Sequence, residues 1–285
     1  MAETNLDHNF LKDVQTSVAV ALAEDVGSGD LTAELLPVSQ QAEARVIARQ
    51  GCTLCGQPWF DEVFRQLDNK IASNWRVAEG DQVAANAMIC ELQGPARALL
   101  SGERSALNFL QLLSATASAA RKYVDSVAGT GAVILDTRKT LPGLRRAQKY
   151  AVHCGGAQNH RMGLYDAILI KENHIAAAGN VQAAISAAGR QTSDVLIEVE
   201  VETLDQMQQA LASGAHRLLL DNFSIRRLSD AVALRDQHAN DVKLEASGGI
   251  NLDNVRAVAE TGVDYISIGA LTKDVCAIDF SMQFR

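Results

Sequence analysis

The 285 residues carry 34 acidic against 26 basic side chains, a formal charge of −8, with 47% hydrophobic and 21% charged content. This balance fits a globular enzyme and argues against nucleic acid as the main partner, because binding along a phosphate backbone needs a broad basic surface. Four prolines leave no room for a long disordered linker, and no apolar run reaches the roughly 18 residues that span a bilayer.

Phe10, Leu11, Val14, Val18, Ala21 and Leu22 recur at helical spacing, so residues 10–24 are expected to form an amphipathic helix. The start MAETNLDHNF lacks the basic stretch and apolar core of a secretory signal, so a cytoplasmic location with reduced thiols is expected. Residues 42–48 read as a strand, and Pro58 opens a helix with Trp59, Val63, Phe64 and Leu67 on one face. Short β-like runs follow between 71 and 93 around the turn Glu79-Gly80-Asp81. Cys52 and Cys55 form a single CxxC, and a zinc site would want two more ligands; both are expected to be structural thiols. From Leu99 to Val127 an Ala-, Leu- and Ser-rich stretch has no helix breaker after Gly102 and reads as a helix linking two domains.

From Gly131 the pattern changes. Apolar runs at 132–136, 166–171, 194–200, 217–221, 242–246 and 264–269 end in, or lead directly into, a polar residue or glycine and alternate with helical segments. Thr203, Ser224 and Asn251 are candidate helix caps, and Gly214 and Gly262 candidate stops. Buried strands alternating with helices imply a parallel sheet. About 155 residues remain for it, fewer than the roughly 250 of an eight-unit barrel, so a reduced barrel is expected. A doubly wound open sheet is the alternative, weakened by the absence of GxGxxG after the first strand.

The stretch Asp136–His174 holds seven of the 26 Lys and Arg and three of the six His against three acids, a cationic island in an acidic chain. Strand ends in parallel β/α folds gather functional groups. Here they read Asp136-Thr137-Arg138-Lys139, Lys171-Glu172-Asn173-His174, Glu198 and Glu200, Asp221-Asn222, Glu245-Ala246-Ser247-Gly248-Gly249 and Gly269-Ala270. Glu198 and Glu200 should point to one side of their strand, with Val199 opposite. Ser247, Gly248, Gly249 and Gly269 offer backbone N–H groups to a phosphate, or else make two tight glycine turns. Glu200 and Asp221 suit Mg²⁺ shared with substrate phosphates, or else form an ion-pair network with Lys139 and Lys171. Arg138, His160 and Arg161 complete the cationic side, since a guanidinium fork matches a carboxylate. For Arg145, Arg146 and Lys149 a solvated helix face is at least as good a reading as a site role.

Taken together, DTRKTLPGLRRAQKYAV, GGAQNHRMGLYDAILIKENHI, IEVEVE, LLLDNF, EASGGI and DYISIGALT resemble quinolinate phosphoribosyltransferase, in order from GERSALN to the last strand. Ala157 departs from the family, which usually has a third glycine there. The resemblance implies an N-terminal α/β sandwich domain over 1–115 and an incomplete parallel β/α barrel of fewer than eight strands over 116–285. The final residues, about 10–15, would pack back on the first domain. It implies transfer of phosphoribosyl from phosphoribosyl pyrophosphate to quinolinate with loss of CO₂, in NAD biosynthesis, with Mg²⁺. It also implies a homodimer in which Arg104 is lent across the interface. By matching motif, Arg104, Thr137, Arg138, His160, Arg161 and Lys171 fall on the quinolinate side. Lys139, Lys171, Glu200, Asp221, Ser247, Gly248, Gly249 and Gly269 fall on the phosphoribosyl pyrophosphate side. Lys139, Lys171, Glu200 and Asp221 would carry the chemistry, with Glu200 and Asp221 toward the metal. The alternatives are a relative using another anionic acceptor and a non-catalytic sensor of phosphorylated metabolites.

Overall fold

The structure is a computed structural model describing residues 8–191, 195–238 and 241–285. Among these, no helix is long and apolar enough to cross a membrane. The chain divides into two compact units. The first comprises the described residues up to Arg121 with Thr140–Gly156 and Asp274–Arg285; the second is Lys122–Lys139 with Ala157–Lys273. The break after Arg121 lies six residues beyond the expected one after residue 115, and the first unit also takes Thr140–Gly156 and Asp274–Arg285 from the later part of the chain.

The first unit opens with α1 (His8–Asp25), whose Phe10, Val14, Val18 and Leu22 form a buried stripe. A short 3-10 turn (Ala33–Leu35) leads to β1 (Gln41–Ala48) and β2 (Cys52–Thr53), then α2 (Gln57–Leu67) with its proline in the first turn. Three strands follow, β3 (Ala72–Trp75), β4 (Gln82–Val83) and β5 (Met88–Pro95), and then the 31-residue α3 (Ala96–Ser126). The main sheet has the antiparallel order β12-β1-β5-β3, where β12 is Phe280–Phe284, so the chain's last strand completes the sheet begun by its first. Trp59 and Phe60 on α2 are fully buried; Trp59 meets Phe10 edge-on at 5.4 Å and stacks on Phe109 at 6.5 Å. Removing either large ring would cost about 3–5 kcal/mol through the cavity left behind.

α4 (Arg145–Cys154) belongs to this unit, and it corrects the reading of its basic residues as a solvated face. Lys149 is 1% exposed, and half-buried Arg146 is ion-paired with Asp13. The sequence could not show this, because the helix belongs to the first unit although it lies between two strands of the second in chain order.

The second unit holds β6 (Val133–Leu135), β7 (Ile168–Ile170), β8 (Ile197–Val201), β9 (Arg217–Asp221), β10 (Lys243–Ser247) and β11 (Tyr265–Ser267). Asp194, which the sequence places at the start of the third run, lies outside the described residues. All pairings are parallel and the order is β6-β11-β10-β9-β8-β7. From β7 to β11 consecutive strands are neighbours, and β6, the first of the six, lies beside β11, the last, which is a barrel order and not that of a doubly wound sheet. Among the described residues β6 and β7 do not pair, and Gln158 alone bridges to Leu135 on that side, so the barrel is incomplete.

Helices α5 (Glu172–Ala178), α6 (Val181–Gln191), α7 (Leu204–Ala212), α8 (Ile225–His238), α9 (Val255–Ala259) and α10 (Ala270–Lys273) follow the strands. Thr203 caps α7 as expected, accepting the Gln206 N–H at 3.1 Å. α9 starts later than the sequence suggests: its cap position is Asn254, while Asn251 Oδ1 stabilises the preceding turn by accepting from Asp253.

Candidate active site

Strand register sorts the second unit's side chains into two sets. Val199, Leu218, Leu220, Leu244, Ala246 and Ile266 are buried on one face. The opposite face carries Glu198 and Glu200 on β8, Arg217 and Asp221 on β9, Glu245 and Ser247 on β10, and Tyr265 and Ser267 on β11. Alternation in a strand guarantees this separation once one face is committed to apolar packing. Thr137, Lys171 and Gly269, just past the ends of β6, β7 and β11, continue that face. The expected common direction of Glu198 and Glu200, with Val199 opposite, is what the register gives.

At the carboxyl end of the sheet Lys171 and Glu200 form an ion pair. Asp221, half-buried on the next strand, accepts a hydrogen bond from Asn222 Nδ2 at 2.7 Å. Asn222 takes a left-handed backbone (φ 55°), and its N–H donates to Ser247 O at 2.9 Å, tying β9's end to β10's. Gly248 and Gly249 are both left-handed, φ 95° and 63°. A Cβ at Gly248 would fall 2.1 Å from Asn222 Oδ1, so glycine is needed there for close approach as well as for conformation. The sequence argument that this turn opens directly into a helix is corrected: α9 begins at Val255 and has only five residues, so the amides presented here are the turn's own. At Gly269 an added Cβ would lie 3.1 Å from Lys139 Cδ and 3.8 Å from Lys273 Cε. Lys273, at the end of the short α10, was not singled out by sequence reasoning and reaches the same glycine as Lys139.

The basic island folds around Asp136, which is fully buried and accepts from Asn159 Nδ2 at 2.7 Å and the His160 N–H at 2.8 Å. Asp166 then accepts the N–H groups of Met162 and Gly163 at 2.6 and 3.0 Å, fixing the turn after Arg161. Burial, and next the charge of Arg138, lowers Arg161 from the usual guanidinium range, so the two arginines lie close enough to repel. An anion between them would relieve that repulsion. Arg161 also donates to Ala167 O at 3.2 Å.

His160 turns inward. Its Nδ1 accepts the Arg161 N–H at 2.8 Å, and its Nε2 lies 3.0 Å from Glu198 Oε2 and 3.5 Å from Glu245 Oε1. Both ring nitrogens are thus engaged by the protein, and the ring proton sits on Nε2. Arg217 lies 3.4 Å from Glu245 Oε2 and stacks over the Tyr265 ring at 4.1 Å. Burial, and next the Glu198 carboxylate, pushes Glu245 up to about 8, so it holds a proton at neutral pH; burial also raises Glu198. Sequence reasoning saw Glu198 and Glu245 as strand-end acids but gave them no role. The strand pairing that makes them neighbours of His160 is not visible in spacing.

Arg104 is exposed on α3 and belongs to the first unit. The donors available to Mg²⁺ are the carboxylates of Glu200 and Asp221. Oxygen donors suit Mg²⁺, and a site with two carboxylates leaves its remaining positions to water and phosphate oxygens. Among the described residues, the groups of three metal-ligating side chains are elsewhere, at His160–Glu198–Glu245 and Cys55–Glu79–Cys154.

Two family models cover most of the chain: the quinolinate phosphoribosyl transferase N-terminal domain over residues 30–114 and the C-terminal domain over 116–283. A Bacillus subtilis protein named a probable carboxylating nicotinate-nucleotide pyrophosphorylase is 42% identical over 261 residues, spanning 91% of this chain and 89% of that protein. The human carboxylating nicotinate-nucleotide pyrophosphorylase is 40% identical over 255 residues, spanning 88% and 85%. A solved structure of the nicotinate-nucleotide pyrophosphorylase from Francisella tularensis superposes with a TM-score of 0.92 at 44% identity, covering 96% of this chain and 97% of that one. With both domain models matched in order and the incomplete barrel in place, the chain belongs to the quinolinate phosphoribosyl transferase family.

Proposed function

We propose that this protein transfers phosphoribosyl from phosphoribosyl pyrophosphate to the ring nitrogen of quinolinate, releasing pyrophosphate and CO₂ and forming nicotinate mononucleotide for NAD biosynthesis. The observation that carries this reading is the single face of the barrel on which Lys171, Glu200, Asp221 and Ser247 converge beside the arginine-bearing loop.

The quinolinate side consists of Thr137, Arg138, His160, Arg161 and Lys171. Two guanidinium groups that repel one another suit a dianion, and each fork holds a carboxylate with its plane fixed. Holding the ring nitrogen in line with the ribose carbon is a positioning effect potentially worth several kcal/mol. His160 contributes by fixing the Arg161 backbone through Nδ1. Lys139, Lys171, Ser247, Gly248, Gly249 and Gly269 take the phosphoribosyl pyrophosphate side, with backbone amides of the glycine turn and the lysines facing its phosphates. The nitrogen lone pair forms the new C–N bond as the bond from that carbon to pyrophosphate oxygen breaks. Glu200 and Asp221 then face positive charge developing on the sugar, and Lys139 faces negative charge on the leaving group. Glu200 and Asp221 would hold Mg²⁺, which would supply further charge neutralisation for that leaving group. Breakage of the ring–carboxylate bond sends its electron pair into the pyridinium-stabilised ring carbon, where a proton from solvent replaces CO₂.

The same reading includes a homodimer in which Arg104 serves the partner subunit's barrel. Arg97, Ser101 and Arg104 lie on one face of α3. Arg97 donates to Leu36 O at 2.8 Å and Ser101 to Asp30 Oδ2 at 2.8 Å, holding a loop whose Leu31, Leu35 and Val38 are exposed. A cleft of about 660 Å³ beside it is lined by α1, by Ser105, Asn108 and Leu112 of α3, and by Gly143. Arg104, exposed and one residue before Ser105 of that cleft, supports a second copy as occupant. Five free cysteines support a reducing compartment, and we assign the cytoplasm.

Release of CO₂ from carboxyl-labelled quinolinate tests the function directly. It should require both phosphoribosyl pyrophosphate and Mg²⁺ and should match nicotinate mononucleotide formed. Turnover of nicotinate but not quinolinate would replace the reading with that of a relative using a monocarboxylate acceptor; no turnover of either would leave a binding protein.

A further inference from the structure

Within the first unit, three segments that are far apart in sequence bring two thiols and a carboxylate together. Cys55 lies just before α2, Glu79 in the turn between β3 and β4, and Cys154 at the last position of α4. One ligand atom from each, two sulfurs and a carboxylate oxygen, lie within 4.8 Å of one another, with Cys55 buried and the other two half-buried. Gly80 permits the approach: a Cβ there would stand 3.1 Å from Cys154 O. Cys52, the other half of the CxxC, is not part of the group.

Both Glu79 oxygens accept the Gly56 N–H, Oε1 at 2.9 Å and Oε2 at 3.2 Å, and each has a second neighbour. Oε1 accepts the N–H groups of Gly56 and Gln57 at 2.9 and 2.8 Å, at the start of the eleven-residue α2. Oε2 faces the thiols, with Cys154 Sγ at 3.7 Å. Across a tetrahedral zinc, bonds of about 2.3 Å to sulfur and 2.0 Å to oxygen place such atoms about 3.5 Å apart. Tyr150, one turn before Cys154 on α4, hydrogen-bonds to the same carboxylate. The set therefore has a third donor already locked by protein amides, as the outer contacts of metal ligands usually are, and a fourth oxygen at hand.

A divalent cation that prefers sulfur would neutralise deprotonated Cys55, Cys154 and Glu79 together, releasing the thiol protons to solvent.

We propose that Cys55, Cys154 and Glu79 form a binding site for a thiophilic divalent cation, Zn²⁺ in the first instance, with Tyr150 or water in the fourth position. The site is separate from the Mg²⁺ carboxylates of the barrel and would brace the junction of α2, the 76–81 turn and α4.

The full-length protein, stripped of metal and kept reduced with a phosphine, is titrated with Co²⁺ and then Zn²⁺ in the presence of a competing chelator. One equivalent of Co²⁺ should give a strong near-ultraviolet thiolate-to-cobalt absorption that Zn²⁺ abolishes, and Zn²⁺ should raise the melting temperature. Cys154→Ser, at the less buried thiol, should lose the absorption and weaken Zn²⁺ binding at least tenfold, whereas Cys52→Ser and Cys276→Ser should retain both. Glu79→Gln should weaken binding while keeping the absorption. Folded protein without the absorption, or an absorption that survives in both Cys154→Ser and Cys55→Ser, would overturn the proposal.

Discussion

Lys171 and Glu200 are ion-paired at the ends of neighbouring parallel strands, one step beyond the register pair Ile170 and Val199. Their pairing holds a carboxylate and an ammonium on the barrel's inner face before any substrate arrives. Substrate must compete for both partners, so the two act as a unit. We expect Lys171→Ala and Glu200→Ala each to lower kcat by about 100-fold or more, with the double variant little worse than the worse single one. Fully additive losses in steady-state kinetics would show that the pair is not one functional unit.

Arg138 and Arg161 offer the quinolinate test. Replacing either with alanine should abolish turnover while circular dichroism and melting stay near the parent's. Arg161→Lys keeps the charge but loses the planar fork, and KM for quinolinate should rise about tenfold or more. Full activity in both alanine variants would remove these residues from the site.

Gly248 is constrained twice, by its φ of 95° and by Asn222 Oδ1 at 2.1 Å from any added Cβ. Gly248→Ala should cost about 1–3 kcal/mol of stability by denaturant titration and raise KM for phosphoribosyl pyrophosphate more than for quinolinate. An equal rise in both would count against a phosphate role for this turn.

Glu245 makes stability depend on pH. Its folded value of about 8 lies above that of an unfolded glutamate, so the folded state holds the extra proton. Its stabilising effect is complete below about pH 4.3 and is lost as pH rises through about 8. Glu245→Gln, which keeps a donor toward Glu198, should flatten the fall in melting temperature between those limits. An unchanged slope would show that the proton is held elsewhere.

Arg104 is tested by mixing inactive dimers. If it serves the partner subunit's barrel, combining Arg104→Ala with Glu200→Ala protein should restore up to about a quarter of wild-type activity after exchange, since one of two sites in each mixed dimer is intact. No recovery, with exchange confirmed by differently tagged subunits, would place the arginine's action within its own chain.

Much of the barrel was legible because its physics is local. Strand segments such as 217–221 follow from continuous apolar runs, and the Thr203 cap follows from side-chain chemistry. The common direction of Glu198 and Glu200 follows from alternation alone. The motifs also named the family, whose models span residues 30–114 and 116–283.

What spacing could not supply was long-range placement. Lys149 reads as solvated because a lysine in a basic helix normally is, yet α4 is inserted in the first unit, where it is buried. Lys273 carries no motif of its own and matters only because it reaches Gly269, the same glycine as Lys139. Likewise Cys55 finds Cys154 and Glu79 across the packed first unit, and not Cys52 three residues away. The sequence by itself determined the strands, the polar face of each and the basic loop, since these depend on neighbours one to four positions apart. Only the tertiary structure decided which charges meet, because parallel pairing joins residues separated by whole helices: Lys171 with Glu200, and Glu245 with Glu198 and His160.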